Sequence, residues 1–260
     1  MIHRNVLITG ATGGIGYELA KRFAANRCNL ILVARDRARL EEIRSELTAP
    51  EIDITIIDKD LTKPLSPSEV YEKTTRRNIR VHVLVNNAGI GWYGPFHQSP
   101  LQQQLRMIRL NAAAVTELTY LYAKDMVEDR YGRILNVGSI SSFLPTPMMS
   151  VYAATKAYVS SFSEALNSEL RGHGDISVTA LCPGFTKTNF LEKANLQPLA
   201  ALLDTIALDP AAVARDGYRA LQEKKAIRVS GGLNKVLFAL TRVLPRSWMR
   251  TSAALVFKKP

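Results

Sequence analysis

The chain is 260 residues long and 47% hydrophobic, with 34 basic and 23 acidic residues and a formal net charge of +11. That length and apolar content suit one large α/β domain with a sizeable core, and they exclude disordered, collagen-like and solenoid chains, since there is no low-complexity tract or repeat. Two cysteines, Cys28 and Cys182, make no disulfide framework. The first strand pattern begins within a few residues of Met1 and leaves no room for a leader peptide ahead of it; together these predict a cytoplasmic protein. The charge is uneven: residues 224–260 hold nine basic side chains and no acid, so the basic character belongs to the tail.

Asn5-Val6-Leu7-Ile8-Thr9 is a short apolar run of strand character, and Gly14–Ala25 reads as a helix, with Ile15, Leu19, Arg22 and Phe23 at helical spacing. Between them lies the turn Thr9-Gly10-Ala11-Thr12-Gly13-Gly14-Ile15-Gly16. A strand, a glycine turn and a helix N-terminus form an anion site, because glycines let the backbone approach while unpaired N–H groups and the helix dipole attract phosphate. A dinucleotide pyrophosphate fits that description, although the spacing differs from G-x-G-x-x-G. The next strand covers residues 28–34, and Asp36 is placed to cap a helix over 37–47. Strand-like runs recur at 52–57, 81–85, 133–137, 177–182 and 226–230. Helix starts are marked by Ser66-Pro67-Ser68-Glu69, a capping box with Pro at the first helical position, and by Ser99-Pro100-Leu101-Gln102, which repeats the device. Asp209-Pro210 opens another helix, to about residue 223. The alternation predicts a Rossmann-type, doubly wound parallel sheet flanked by helices on both faces, with its ligand site at the carboxyl ends of the strands. Gly10, Arg35, Asp60, Asn87, Ser139 and Pro183 all fall at or just after a strand end.

Tyr152 and Lys156 stand four residues apart in Tyr-Ala-Ala-Thr-Lys, and on a helix such positions share one face. A neighbouring ammonium favours the ionised phenol and lowers its pKa from about 10. The pair therefore reads as a phenol able to exchange a proton near neutral pH, with a hydroxyl such as Ser139 holding the oxygen that takes or gives it. His3, His82, His97 and His173 are scattered singly without metal-ligand spacing, and no G-x-S-x-G elbow is present.

Taken in order, Thr9 to Gly16, Asn86-Asn87-Ala88-Gly89, Asn111, Ser139, Tyr152 with Lys156, and Pro183-Gly184 resemble the pattern of the short-chain dehydrogenase/reductase family in its compact single-domain branch. The resemblance covers residues 3–232. It implies catalytic roles for Asn111, Ser139, Tyr152 and Lys156, with Asn111 holding a water that links the lysine to solvent and Lys156 binding the nicotinamide ribose. It also implies that a dinucleotide contacts Gly10, Thr12, Gly13, Gly14, Ile15, Gly16, Arg35, Asp60, Leu61, Asn87, Ala88, Gly89, Tyr152, Lys156, Pro183, Gly184, Thr186 and Thr188. Where the family's NAD-type enzymes carry an acid after the second strand, this chain has Ala34 and then Arg35. An acid would take the ribose 2′-OH of NAD, whereas arginine suits the 2′-phosphate of NADP, so NADP(H) is the expected cofactor and NAD(H) the second choice.

Three segments rich in large apolar side chains are expected around the substrate: residues 90–98 with Trp92, Tyr93 and Phe96; 140–150 with Phe143, Leu144, Met148 and Met149; and 185–208 with Phe190, Leu191, Leu196, Leu199 and Leu202. Such a lining suits a lipid-like ketone, acyl chain, steroid or aldehyde. The family resemblance also implies a homodimer or homotetramer paired through helices at 112–130 and 151–171. Beyond residue 232, a basic helical extension over 233–260 is expected. Leu233, Val236, Leu237, Leu240, Val243 and Leu244 form an amphipathic stripe that Pro245 ends, followed by Arg246, Trp248, Arg250, Leu255, Val256 and Phe257. That stripe fits docking against the domain or a second subunit, and a basic amphipathic helix also suits an anionic membrane surface. Two other readings are a non-catalytic dinucleotide-binding redox sensor, which would not need the four catalytic residues, and nucleic-acid binding, disfavoured because no recognisable module is present.

Overall fold

The computed structural model describes residues 3–199, 204–245, 247–249, 251 and 253. Seven parallel strands, β1 (Asn5–Thr9), β2 (Asn29–Ala34), β3 (Ile54–Asp58), β4 (Val83–Asn86), β5 (Tyr131–Val137), β6 (Asp175–Cys182) and β7 (Ile227–Val229), form one sheet in the order β3-β2-β1-β4-β5-β6-β7. Alternate strand side chains point to opposite faces. Ile8, Leu32, Val85 and Leu135 pack beneath helices α1 (Gly14–Ala25), α2 (Arg37–Leu47) and α8 (Pro210–Gln222). Leu7, Ile31, Leu84 and Ile134 pack beneath α3 (Ser66–Thr75), α5 (Ala114–Glu128) and α6 (Ser150–Leu170). Burial on both faces is why the strands read as continuous Val/Ile/Leu runs. Strand order reverses between β1 and β4, which leaves a crevice at their carboxyl ends.

Two helix starts differ from the capping boxes read in the sequence. α3 begins at Ser66 after Leu65, which takes a left-handed φ of 67° and receives the Ser68 hydroxyl on its carbonyl at 2.9 Å, while Glu69 pairs with Lys59. Before α4 (Leu101–Ile108), the Ser99 hydroxyl donates to the Pro95 carbonyl at 2.8 Å and accepts from Trp92 Nε1 at 2.9 Å, so it closes the preceding loop and caps nothing. Asp36 and Asp209 do cap their helices, accepting from the amides of Arg39 and Ala211 at 3.0 and 3.2 Å. β5 and β6 each start two residues before their apolar runs, where Tyr131 pairs with Asp175 in register and Arg133 Nη2 donates to Asp175 Oδ2 at 2.8 Å.

Between α4 and α5 the helix widens into a π turn, Arg109–Ala113. α7 (Phe190–Lys193) is a single turn, and α9 (Gly232–Val243) carries the tail. α9 docks through Leu237 and Phe238, which pack on Ile140, Cys182 and Val229. The expected single stripe is therefore split, since Leu233, Val236, Leu240 and Val243 stay exposed. Arg246, Arg250, Leu202 and residues 255–257 lie outside the described residues, as does the side chain of Leu199.

Candidate active site

The carboxyl ends of the strands open into one cleft of about 640 Å³. Its floor is the glycine turn. Gly10 and Gly14 have φ of +66° and +53°, conformations costly for any side chain, and a Cβ on Gly14 would lie 2.7 Å from Thr188 Cγ2. Gly13, where a Cβ would meet nothing within 4 Å, precedes α1 without a side-chain cap or a first-turn acid. The first-turn N–H groups of α1 are thus left for an anion, with the helix dipole behind them.

Asn87 holds this turn in place. Its Nδ2 donates to the carbonyls of Thr9 and Gly10 at 3.0 and 3.1 Å, while Thr9 Oγ1 accepts from the amides of Asn87 and Ala88, both at 3.0 Å. Gly16, expected at the cofactor, lines no part of the cleft. It allows close packing instead: a Cβ there would sit 2.3 Å from the Gly10 oxygen. Gly10, Thr12, Gly13, Gly14, Ile15, Arg35, Asp60, Leu61, Asn87, Ala88, Gly89, Pro183, Gly184, Thr186 and Thr188 do line it.

At the β2 end Arg35 is exposed and lines the cleft. Arg39, one turn into α2, also reaches it, as do Tyr17 and Lys59, and these three were not picked out from the sequence. Arg39 is paired with Glu42 and Glu46 at 2.7 and 3.1 Å. Burial works to raise the Asp60 carboxyl, but hydrogen bonds from Thr62 N and Oγ1 at 3.0 and 2.8 Å, with Arg35 and Arg106 nearby, outweigh it and hold the group below its ordinary value.

At the other end stand the buried side chains of Ser139, Tyr152 and Lys156. Ser139 follows β5 and opens a short 3₁₀ turn (Ile140–Phe143), its Oγ accepting from the Ser141 amide at 3.1 Å. Ser142 Oγ takes the Ser160 hydroxyl and donates to the Lys156 carbonyl, both at 2.8 Å, so this turn is bonded to the helix that carries Tyr152. Lys156 Nζ donates to the Val137 carbonyl at 2.7 Å and lies 5.9 Å from the Tyr152 ring centroid.

The proton affinities differ from those suggested by the four-residue spacing. Burial pushes the Tyr152 phenol up to about 12, against the hydrogen bond from Ser139 that lowers it. Burial also pushes the Lys156 ammonium down to about 8. Desolvation dominates both groups, favouring the neutral phenol and the neutral amine.

Asn111 sits in the π turn, fully buried and outside the cleft wall. Its Nδ2 donates to the Ile90 carbonyl at 2.8 Å and to Thr155 Oγ1 at 3.2 Å, and its Oδ1 accepts from the Ile90 amide at 3.0 Å. A Cβ on Gly89 would lie 3.4 Å from both Asn111 Oδ1 and Lys156 Nζ, so the two groups flank the same point.

The three apolar segments meet around the phenol. Tyr93, Met149, Tyr152 and Leu196 form a buried cluster against which Trp92, Met148, Phe185, Phe190 and Leu191 pack, with the Phe190 ring 5.4 Å from that of Tyr152. Phe96 stands apart, exposed. Among the described residues no helix is long and apolar enough to cross a membrane.

A family model described as short chain dehydrogenase matches residues 4–198. A very-long-chain 3-oxoacyl-CoA reductase of Pyrenophora tritici-repentis is 34% identical over 173 residues, 65% of this chain and 51% of that protein, so the chain spans about half the length of that relative. A short-chain dehydrogenase from Sphingobium yanoikuyae in complex with NADPH superimposes with a TM-score of 0.81 at 30% identity, over 93% of this chain and 96% of that one. The bulky-bulky ketone specific alcohol dehydrogenase from Comamonas testosteroni does so with a TM-score of 0.76 at 31% identity, over 94% and 96%. With Gly10, Gly14, Asn87, Ser139, Tyr152, Lys156 and Pro183 gathered on one cleft of the matching fold, the chain belongs to the short chain dehydrogenase family.

Proposed function

We propose that the chain is an NADP(H)-dependent oxidoreductase that reduces the carbonyl of an apolar, lipid-like substrate to an alcohol, or runs the reverse. The observation that carries this reading is one cleft with a two-arginine end, a glycine-lined anion site and a buried phenol. The open glycine turn and the uncapped first turn of α1 fit a pyrophosphate, and Arg35 and Arg39 fit a 2′-phosphate. A bound nicotinamide would supply or accept the hydride.

The chain's own groups handle the proton. Tyr152, a neutral phenol below about pH 12, donates to the carbonyl oxygen, and Ser139, in hydrogen-bond contact with it, holds that oxygen. Lys156, protonated below about 8, carries the charge that steadies the developing phenolate and would hold the nicotinamide ribose. Asn111 keeps the Ile90 loop in register beside Lys156 and is the candidate for a proton path from that lysine. Met149, Phe185, Phe190 and Leu191 line the cleft near Tyr152 and favour an acyl chain or bulky ketone over a sugar, in keeping with what the relatives' names say they reduce. A homodimer or homotetramer paired through α5 and α6 would cover the exposed Tyr120 and Tyr158. Nothing in the cleft calls for the redox-sensor reading, because all four catalytic residues are retained.

The test is kcat/KM with NADPH and NADH over a panel of long-chain 3-oxoacyl thioesters and bulky ketones, for wild type and for Arg35→Ala with Arg39→Ala. The expected result is an NADPH preference that falls at least about tenfold in the double variant. A preference for NADH in the wild type would overturn the 2′-phosphate assignment.

A further inference from the structure

α9 has one apolar face more than the domain uses. At 3.6 residues per turn, Leu233, Val236, Leu240 and Val243 fall within an arc of about 80°. They are 68%, 59%, 43% and 82% exposed. The face that docks, Leu237 and Phe238, is a different one. Lys235 and Arg242, both exposed, flank the free arc on one side, and Arg242 stacks over the Phe238 ring at 4.7 Å. Just past Pro245, Trp248 is also exposed, at 65%.

The charge around this face selects its occupant. α9 holds two bases, Lys235 and Arg242, and no acid. A second copy meeting this face about a two-fold axis would set those cations against their own copies, with no acid on the helix to answer them. A surface rich in anionic headgroups over an apolar interior answers both features at once: cations at the phosphates, and Leu, Val and Trp below them. We infer that α9 is a peripheral docking helix for an anionic lipid bilayer, inserting Leu233, Val236, Leu240 and Val243 while Lys235 and Arg242 sit among the phosphates.

The placement suits an enzyme fed from a membrane. The Phe238 ring packs on Phe143 at 4.5 Å, in the segment beside the catalytic turn, and Gly184 lies directly under Asn234, where a Cβ would come within 2.3 Å of Asn234 Nδ2. The docked helix therefore abuts the rim of the cleft.

The test is cosedimentation of the full chain with vesicles of phosphatidylcholine alone or with about a third phosphatidylglycerol, at low and high salt. Wild type is expected to bind the anionic vesicles and to be released by salt. Leu233→Ser, Leu240→Ser and Val243→Ser together, and separately Lys235→Glu with Arg242→Glu, should each weaken binding at least about tenfold. Both variants should reduce a short soluble ketone at the wild-type rate, which shows that they fold. Three results would overturn the inference: no sedimentation of wild type with anionic vesicles, equal binding by the serine variant, or an oligomer that dissociates in the serine variant, which would show that a second copy covers the face.

Discussion

Replacing Lys156 by Met should make the protein more stable while disabling it. Holding the ammonium in the folded chain lowers its pKa from 10.5 to about 8, a penalty of ~3 kcal/mol at neutral pH. Met keeps the length of the stem, removes that penalty and forfeits the charged hydrogen bond to the Val137 carbonyl, worth about 1.5–3 kcal/mol. The net gain is up to about 1.5 kcal/mol, a rise of up to roughly 5 °C in Tm for a chain of this size. The sign is pH-dependent. Below about 8 both folded and unfolded chains carry the proton and the full penalty stands, whereas between 8 and 10.5 only the unfolded chain binds it, so wild type gains stability as pH rises. Denaturant melts of both proteins from pH 7 to 10.5 should show the variant's advantage shrinking over that window. A variant less stable than wild type at pH 7, or a difference that ignores pH, would refute the desolvation account of Lys156.

Tyr152→Phe should leave cofactor binding within about twofold and lower turnover by 10²–10⁴, as estimated for the loss of a general acid; a near-normal rate would remove the phenol from the mechanism. For carbonyl reduction, kcat/KM should fall as pH rises past about 8, where Lys156 loses the charge that steadies the developing phenolate; a flat profile through that range would contradict the assignment. Gly16→Ala must move α1 off the Gly10 oxygen or displace Asn87 Nδ2, 2.3 and 2.5 Å from the new Cβ. The expected loss is about 2 kcal/mol of stability together with at least tenfold in cofactor affinity, read by thermal melt and fluorescence titration.

The parts of the molecule that were legible in the sequence are those where local pattern and tertiary role agree. Glycines that need positive φ sit between an apolar run and a 3.6-residue period, so β1, the turn and α1 were read with their observed bounds. Ser66 and Ser99 misled because loop contacts claim the residues around them: Leu65 turns left-handed before α3, and Ser99 closes on Pro95 and Trp92. Asn111 is marked only by resemblance; nothing in Arg109–Ala113 signals the π turn from which it bonds both backbone groups of Ile90. Arg39 carries no local signal, because its place on the cleft depends on how the start of α2 packs beside the end of β2. The shifts of Tyr152 and Lys156 are likewise invisible to spacing, since they come from burial in the folded chain.

The proposed reaction carries a hydride across this cleft to a carbonyl whose oxygen Tyr152 protonates. The most direct measurement is isotope transfer, with the enzyme given NADPH deuterated at the transferring position of the nicotinamide and a long-chain 3-oxoacyl thioester, and the product read by mass spectrometry. One deuterium on the former carbonyl carbon with wild type, appearing at least about a hundredfold more slowly with Tyr152→Phe, is the predicted result; a protein that binds the cofactor yet transfers no deuterium to any apolar carbonyl would contradict it.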